Sequence, residues 1–287
     1  MIVQTIGVVG CGQMGAGIAE ISLLAGYEVI LYGRNEDIRP ACRGRVQQSL
    51  QRAVSRGKLE AGEAEKALAR LRGVAHLAEL AAADLVIECV AEDLALKQGI
   101  FRSLDSLLHP AALLASNTSS LSITELALAT GRPDKVLGMH FFNPAPVMRL
   151  LELVRGLHTS DETLAIARKV GAYMGKITVT APDSPGFIVN RLLIPYIVEA
   201  IGAYEAGLGE AAVVDSSVKL GMGHPLGPLA LADLIGLDVT LAIADTLYAS
   251  SGNPYFKAPP LLRRMVAVGQ LGRKTGRGFY DYRRLVT

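Results

Sequence analysis

Residues 2–9, IVQTIGVV, form an apolar strand-like run, and Gly10-Cys11-Gly12-Gln13-Met14-Gly15 follows without a break. Apolar positions Ile18, Ile21, Leu24 and Ala25 then recur at helical spacing as far as Gly26, a helix stop. Glu28–Tyr32 reads as a second strand. Strand, GxGxxG, helix and strand within about thirty residues commit this part of the chain to a Rossmann-type unit of a doubly wound α/β sheet. Gly10 permits the tight turn. Gly12 lets the backbone approach a pyrophosphate, and Gly15 lets the helix pack closely on the strand. The helix N-terminus at Gln13 and Met14 supplies N–H donors and positive potential to the phosphates.

Such a unit usually carries an acid at the end of the second strand, where it holds the adenosine ribose 2′-hydroxyl. Here the sequence is Leu31-Tyr32-Gly33-Arg34-Asn35, with Glu36 and Asp37 only afterwards. Gly33 opens space where the acid would stand. Arg34 offers a guanidinium that can pair bidentately with a 2′-phosphate, while Asn35 can still hold a free hydroxyl. The cofactor expected is therefore NAD or NADP, with NADP slightly favoured.

Residues 38–59 hold six basic residues and no acidic one. Arg45, Ser49, Arg52 and Arg56 recur at helical spacing, so they share one face. That face is either a solvated surface or a site for a phosphorylated ligand. Ala61–Leu71 reads as a second, polar helix, which makes 38–72 a helical hairpin inserted in the sheet domain. Asp84–Val90 is an apolar run suited to a central parallel strand. Ligands bind outside the carboxyl ends of such strands, so Glu92 and nearby Lys97 are candidate cofactor contacts. The next strand, Ala111–Ala115, ends in Ser116-Asn117-Thr118-Ser119-Ser120. These small polar residues suit a helix cap or hydroxyl groups over a nicotinamide.

Val136–Val154, VLGMHFFNPAPVMRLLELV, is apolar but contains His140 and, twelve residues on, Glu152. Asn143-Pro144-Ala145-Pro146 reads as a turn, so strands at 136–142 and 148–154 run out and back. His140 and Glu152 then lie side by side, as a satisfied core pair or as a general base with the carboxylate that orients it. Beyond Asp183-Ser184-Pro185-Gly186 the pattern is purely helical, in segments 186–206, 210–220, 226–248 and 261–268. The domains expected are 1–182, of Rossmann type, and 183–287, all-helical. The second is apolar enough to bury surface against another subunit. The basic tail around Lys274 is a solvated segment or reaches the active site.

Net charge is only +2, which argues for neither nucleic acid nor a membrane surface, and no apolar run spans a bilayer. Cys11, Cys42 and Cys89 are odd in number and widely spaced. They suggest neither a metal site nor a disulfide framework. With the first strand starting at Ile2, a cytoplasmic chain with free thiols is expected.

GCGQMGAGIA (10–19), SNTSSL (116–121), GMHFFNPAPVM (138–148), DSPGFIVNRLL (183–193) and GRKTGRGFY (272–280) occur in this order over the whole chain. In them the sequence resembles the short-chain L-3-hydroxyacyl-CoA dehydrogenases, including the bacterial 3-hydroxybutyryl-CoA dehydrogenases. The resemblance implies a homodimer formed through the helical domain. It implies interconversion of 3-hydroxyacyl-CoA, with four-carbon chains foremost, and 3-ketoacyl-CoA. His140 matches the catalytic histidine and Glu152 its partner, and Ser119 and Asn190 match the residues that hold the substrate oxygen. Glu92, Lys97, Ser119, Asn143 and Lys274 match dinucleotide contacts. Ser49 and the position of Arg56 match coenzyme A contacts, although a lysine is usual at the latter. Two rivals stand beside this reading. One is a β-hydroxyacid dehydrogenase acting on a free acid, against which the His140/Glu152 pair and the basic 45–56 face argue. The other is a non-catalytic, crystallin-like relative, against which intact Ser119, His140, Glu152 and Asn190 argue.

Overall fold

The structure is a computed structural model that describes residues 2–34 and 38–283. Asn35, Glu36 and Asp37, raised above as ribose neighbours, lie outside the described residues. The chain divides into two compact units, residues 1–184 and 185–287.

The first unit opens with β1 (Thr5–Val9), α1 (Gln13–Leu24) and β2 (Glu28–Tyr32). Next come α2 (Ile38–Ser55), α3 (Ala61–Ala69), β3 (Leu71–Val74), β4 (Leu85–Glu88), α4 (Leu94–Leu107) and β5 (Leu113–Ser116). It closes with α5 (Ile123–Ala127), β6 (Val136–Phe141), β7 (Leu150–Arg155), α6 (Asp161–Tyr173) and β8 (Ile177–Pro182). The eight strands form one sheet in the order β3-β2-β1-β4-β5-β6-β7-β8. The first six run parallel, β6 and β7 are antiparallel, and β8 lies parallel to β7. The order 3-2-1-4-5-6 is that of a doubly wound dinucleotide fold, whose switch point falls between β1 and β4. The inner strands need apolar residues on both faces, and β4 and β6 are buried at every position.

Two sequence-based expectations are corrected here. The polar helix expected to run through Leu71 ends at Ala69, and Leu71–Val74 pairs with β2 as the edge strand. Helices α2 and α3 are therefore the crossover from β2 to β3 and not an insertion into a finished sheet. Cys42, Val46 and Leu50 line the buried side of α2, while Arg45 and Arg52 of the helix and Arg56 just past its end are exposed. The cysteines, expected as free thiols, are the second correction. Folding brings Cys11 of the glycine loop and Cys42 of α2 to 5.2 Å between Cα atoms, and the structure joins them in a disulfide, while Cys89 stays a thiol. A cross-link between residues separated by 31 positions restrains the unfolded chain by about 3–4 kcal/mol. Reduction with a dithiol should therefore lower the thermal midpoint, and the denatured, unreduced chain should titrate one thiol instead of three. Three thiols before reduction, with an unchanged midpoint, would refute the cross-link.

The second unit consists of α7 (Val189–Glu205), α8 (Ala211–Met222), α9 (Pro228–Ile235), α10 (Leu237–Ser251) and α11 (Pro260–Ala267) around one apolar core. The single helix expected over 226–248 is broken at Gly236, where φ is +105°. Only glycine takes that conformation readily. Two buried aspartates tie the C-terminal segment to this unit. Asp215 accepts the N–H groups of Leu229 and Ala230, at 2.8 and 2.9 Å, and the Tyr280 hydroxyl at 2.7 Å. Asp233 accepts the N–H groups of Phe279 and Tyr280, both at 3.0 Å, and the Tyr282 hydroxyl at 3.1 Å. Among the described residues, no helix is long and apolar enough to cross a membrane.

Candidate active site

The carboxyl ends of β1 and β4 flank the glycine loop. Gly10 has φ +113°, and a Cβ there would stand 2.8 Å from the Cys89 carbonyl oxygen. A Cβ on Gly15 would collide with the Gly10 carbonyl oxygen, whereas one on Gly12 would meet nothing within 4 Å. The loop is thus tight on its protein side and open at Gly12. Gly12 is the N-cap of α1 but supplies no side chain to its first turn, so the orphan N–H groups there suit an anion. Gln13 is exposed and Met14 partly buried at the same turn. These features fit a dinucleotide pyrophosphate. At the end of β2, Gly33 is buried and donates its N–H to the Val74 carbonyl at 3.0 Å, while Arg34 is exposed.

β4 ends in Glu88, an acid with no exposed surface. Its Oε1 accepts the Val90 N–H at 2.5 Å and the Lys97 ammonium at 2.8 Å. Its Oε2 accepts the same ammonium at 2.9 Å and the Ser116 hydroxyl at 2.7 Å. Lys97, only 1% exposed, also lies 3.3 Å from Glu92 Oε2. Glu92 Oε1 gathers the loop that follows β5, accepting the Thr118 hydroxyl at 2.5 Å, the Ser119 N–H at 3.0 Å and the Ser120 hydroxyl at 3.1 Å. The Ser119 hydroxyl reaches the same oxygen at 3.3 Å. Burial opposes the charged form of Glu92, but the Lys97 ammonium and the bonds from Thr118 and Ser119 outweigh it and hold the carboxyl below the usual carboxylate range. Burial and the Glu88 charge push the neighbouring Cys89 thiol up.

The hairpin of β6 and β7 pairs His140 with Glu152 directly across the ladder. Both side chains therefore leave the same face of the sheet. His140 Nδ1 lies 2.7 Å from Glu152 Oε2, with the residues 5% and 0% exposed. The Phe142 ring packs on the imidazole, with centroids 4.5 Å apart. Asn117 Oδ1 accepts the Phe141 N–H at 2.9 Å, tying the serine-rich loop to the histidine strand. The turn between the strands begins at exposed Asn143, whose peptide to Pro144 is cis. Buried Lys176 grips that turn, donating to the carbonyls of Ala145 at 2.5 Å and Met148 at 2.9 Å.

On α2, Ser49 hydrogen-bonds buried Glu20 of α1, whose carboxyl is raised by burial against the Ser49 bond and the Arg52 charge. In the second unit, Asn190 is 7% exposed in the first turn of α7. The Lys274 ammonium donates to Asp238 Oδ2 at 2.6 Å. The structure thus brings Glu92, Lys97 and Ser119 into one network, and His140 and Glu152 into one pair. Ser49 and Arg52 on α2, and Arg56 just past its end, stand apart.

The 3-hydroxyacyl-CoA dehydrogenase NAD-binding domain model matches residues 5–184, and the C-terminal domain model of the same enzymes matches residues 186–282. The chain belongs to the 3-hydroxyacyl-CoA dehydrogenase family. It is 48% identical over 282 residues to a 3-hydroxybutyryl-CoA dehydrogenase of Mycobacterium tuberculosis, covering 98% of this chain and 99% of that one. It is 40% identical to human mitochondrial hydroxyacyl-coenzyme A dehydrogenase, covering 99% and 92% of the two chains. Among solved structures, (S)-3-hydroxybutyryl-CoA dehydrogenase PaaH1 from Ralstonia eutropha superposes with a TM-score of 0.93 at 44% identity, over 98% of this chain and 99% of that one.

Three residues that sequence reasoning passed over organise this dehydrogenase's site region: Glu88, Lys176 and Asp183. Asp183 accepts the Ser122 hydroxyl at 2.9 Å and the N–H groups of Ile123 and Thr124 at 2.9 and 2.7 Å, capping α5. Glu88 had a signal, an acid inside the otherwise apolar Leu85-Val86-Ile87 run, because a charge there must be paired. Nothing local marks the other two.

Proposed function

We propose that the protein interconverts (S)-3-hydroxyacyl-CoA and 3-ketoacyl-CoA thioesters, with the four-carbon pair 3-hydroxybutyryl-CoA and acetoacetyl-CoA as its substrate. The observation that carries this reading is the buried His140–Glu152 pair at 2.7 Å in the same sheet as a dinucleotide-type glycine loop. Glu152 engages Nδ1 and fixes the imidazole tautomer, so proton exchange with the substrate 3-hydroxyl falls to Nε2. A bound nicotinamide supplies the hydride acceptor or donor. Ser119 and Asn190, by likeness to the family, donate to the oxygen as it passes between alkoxide and ketone. Steady-state kinetics with acetoacetyl-CoA, longer 3-ketoacyl-CoAs and free acetoacetate, each with NADH and NADPH, test the proposal. Turnover should be highest with acetoacetyl-CoA. Preference for free acetoacetate would favour a β-hydroxyacid dehydrogenase, and no turnover would favour a non-catalytic relative.

Arg45 and Arg52 on α2 and Arg56 just past its end are exposed near partly buried Ser49, and this basic surface is assigned to the coenzyme A phosphates. Reversing Arg52 or Arg56 to Glu should raise KM for acetoacetyl-CoA by roughly fivefold at low salt and less at high salt. A short thioester lacking the nucleotide should be unaffected, and equal effects on both substrates would remove the assignment. Exposed Leu208, Leu220 and Met222 on the helical unit, at 78%, 87% and 65%, support a homodimer through that unit. Acyl-CoA thioesters are intracellular metabolites, which supports a cytoplasmic location, although the Cys11–Cys42 disulfide is unusual in that compartment. Gly33 and Arg34 favour NADP over NAD.

A further inference from the structure

Glu88 has no assigned part in the reaction and Lys97 only its likeness to a dinucleotide contact, yet among the described residues they form the most buried ion pair, at 0% and 1% exposure. Burying two charges is costly and seldom stabilises a fold more than apolar residues of the same size would. What the pair touches suggests why it is there. Glu88 holds Ser116, the first residue of the serine-rich loop, and the Ser116 hydroxyl in turn accepts the Thr118 N–H at 3.2 Å. Lys97 reaches the second carboxylate, Glu92, which holds Thr118, Ser119 and Ser120 through its other oxygen. The loop is thus gripped at both ends by two carboxylates that share one ammonium. The likeness of Lys97 to a dinucleotide contact predicts a group facing the ligand, but its ammonium is enclosed between Glu88, Glu92 and the Val90 carbonyl.

We propose that Glu88 and Lys97 are a buried positioning pair that acts through Glu92 to fix the 116–120 loop and its Ser119 hydroxyl. The inference rests on the reading that this loop faces the nicotinamide and the substrate oxygen. Without the ammonium, Glu92 has no cation beside Oε2, and nothing orients it to gather three hydroxyls. Loop mobility then weakens the cofactor and slows the chemical step together, whereas KM for the coenzyme A portion, bound elsewhere, stays put.

The test is a double-mutant cycle between the pair variant Glu88→Leu/Lys97→Met, which removes both charges together, and Glu92→Gln. NADH binding is followed by its fluorescence, kcat by turnover of acetoacetyl-CoA, and folding by thermal melting. Each variant should weaken NADH binding and lower kcat by about tenfold. The combined variant should be no worse than about twice either one, because both break the same linkage. A purely structural role would shift the melting midpoint and leave NADH binding and kcat untouched. That result, or losses that multiply in the combined variant, would overturn the proposal. If Glu88→Leu/Lys97→Met does not fold, Glu88→Gln/Lys97→Met retains a group able to accept the Ser116 hydroxyl and enters the same cycle. NADH binding needs no turnover, so a wild-type protein inactive on every 3-ketoacyl-CoA would sink the functional reading and still leave this cycle to decide the role of the pair.

Discussion

Replacing His140 with alanine should lower kcat by about two to four orders of magnitude, the usual contribution of a general acid–base group, and leave NADH affinity nearly unchanged. The two effects separate because His140 sits on β6 and pairs with β7, whereas the glycine loop and α1 offer the phosphate-binding N–H groups. Glu152→Gln should also lower kcat. Glu152 is fully buried opposite the histidine, so the amide removes the charge that steadies an imidazolium and can present a donor where an acceptor is needed. The measurement is a steady-state comparison on acetoacetyl-CoA beside fluorescence titration with NADH. If His140→Ala retained more than about a tenth of wild-type kcat, the proton would have to be carried by another group.

A kcat/KM ratio for NADPH over NADH above one is expected for the wild type, inverting in Gly33→Asp. Gly33 is buried at the end of β2 and its N–H is spent on Val74, while Arg34 next to it is exposed. A carboxylate introduced at Gly33 would accept from a free ribose diol and repel a 2′-phosphate. One charge-assisted bond from Arg34 to a phosphate is worth about 1.5–3 kcal/mol, or roughly 10–150-fold in preference. A wild-type ratio well below one, unmoved by Arg34→Ala, would show that the loop holds no phosphate.

The parts of the site that could be read from the sequence are those whose geometry is local. The glycine loop declares itself because its strand, turn and helix are contiguous. The His140–Glu152 pair is legible because a proline turn folds two apolar runs back on each other, and alternation does the rest. Contacts made by distant segments left no comparable trace. Leu71-Arg72-Gly73-Val74 has neither the length nor the alternation of a strand, and it becomes one only because β2 offers an open edge. The break between α9 and α10 depends on a single glycine whose φ no pattern reveals. Cys11 and Cys42 meet because α2 packs beside the glycine loop, and Lys97 is buried because two acids from other elements converge on it.

The turn between β6 and β7 is mechanically separable from the His140–Glu152 pair. The ladder still pairs Phe141 with Leu151, so one rung stands between the turn and the His140–Glu152 rung. A graft that kept this rung could lengthen, shorten or replace residues 143–149 without touching the dyad, whereas a one-residue slip of the ladder would send the two groups to opposite faces. Such a graft would have to respect one dependency. Lys176 finds its acceptors at Ala145 and Met148, so a loop that withheld both carbonyls would strand a buried ammonium. Loop libraries built here should therefore pair each new turn with an apolar replacement of Lys176 or keep two inward-facing carbonyls.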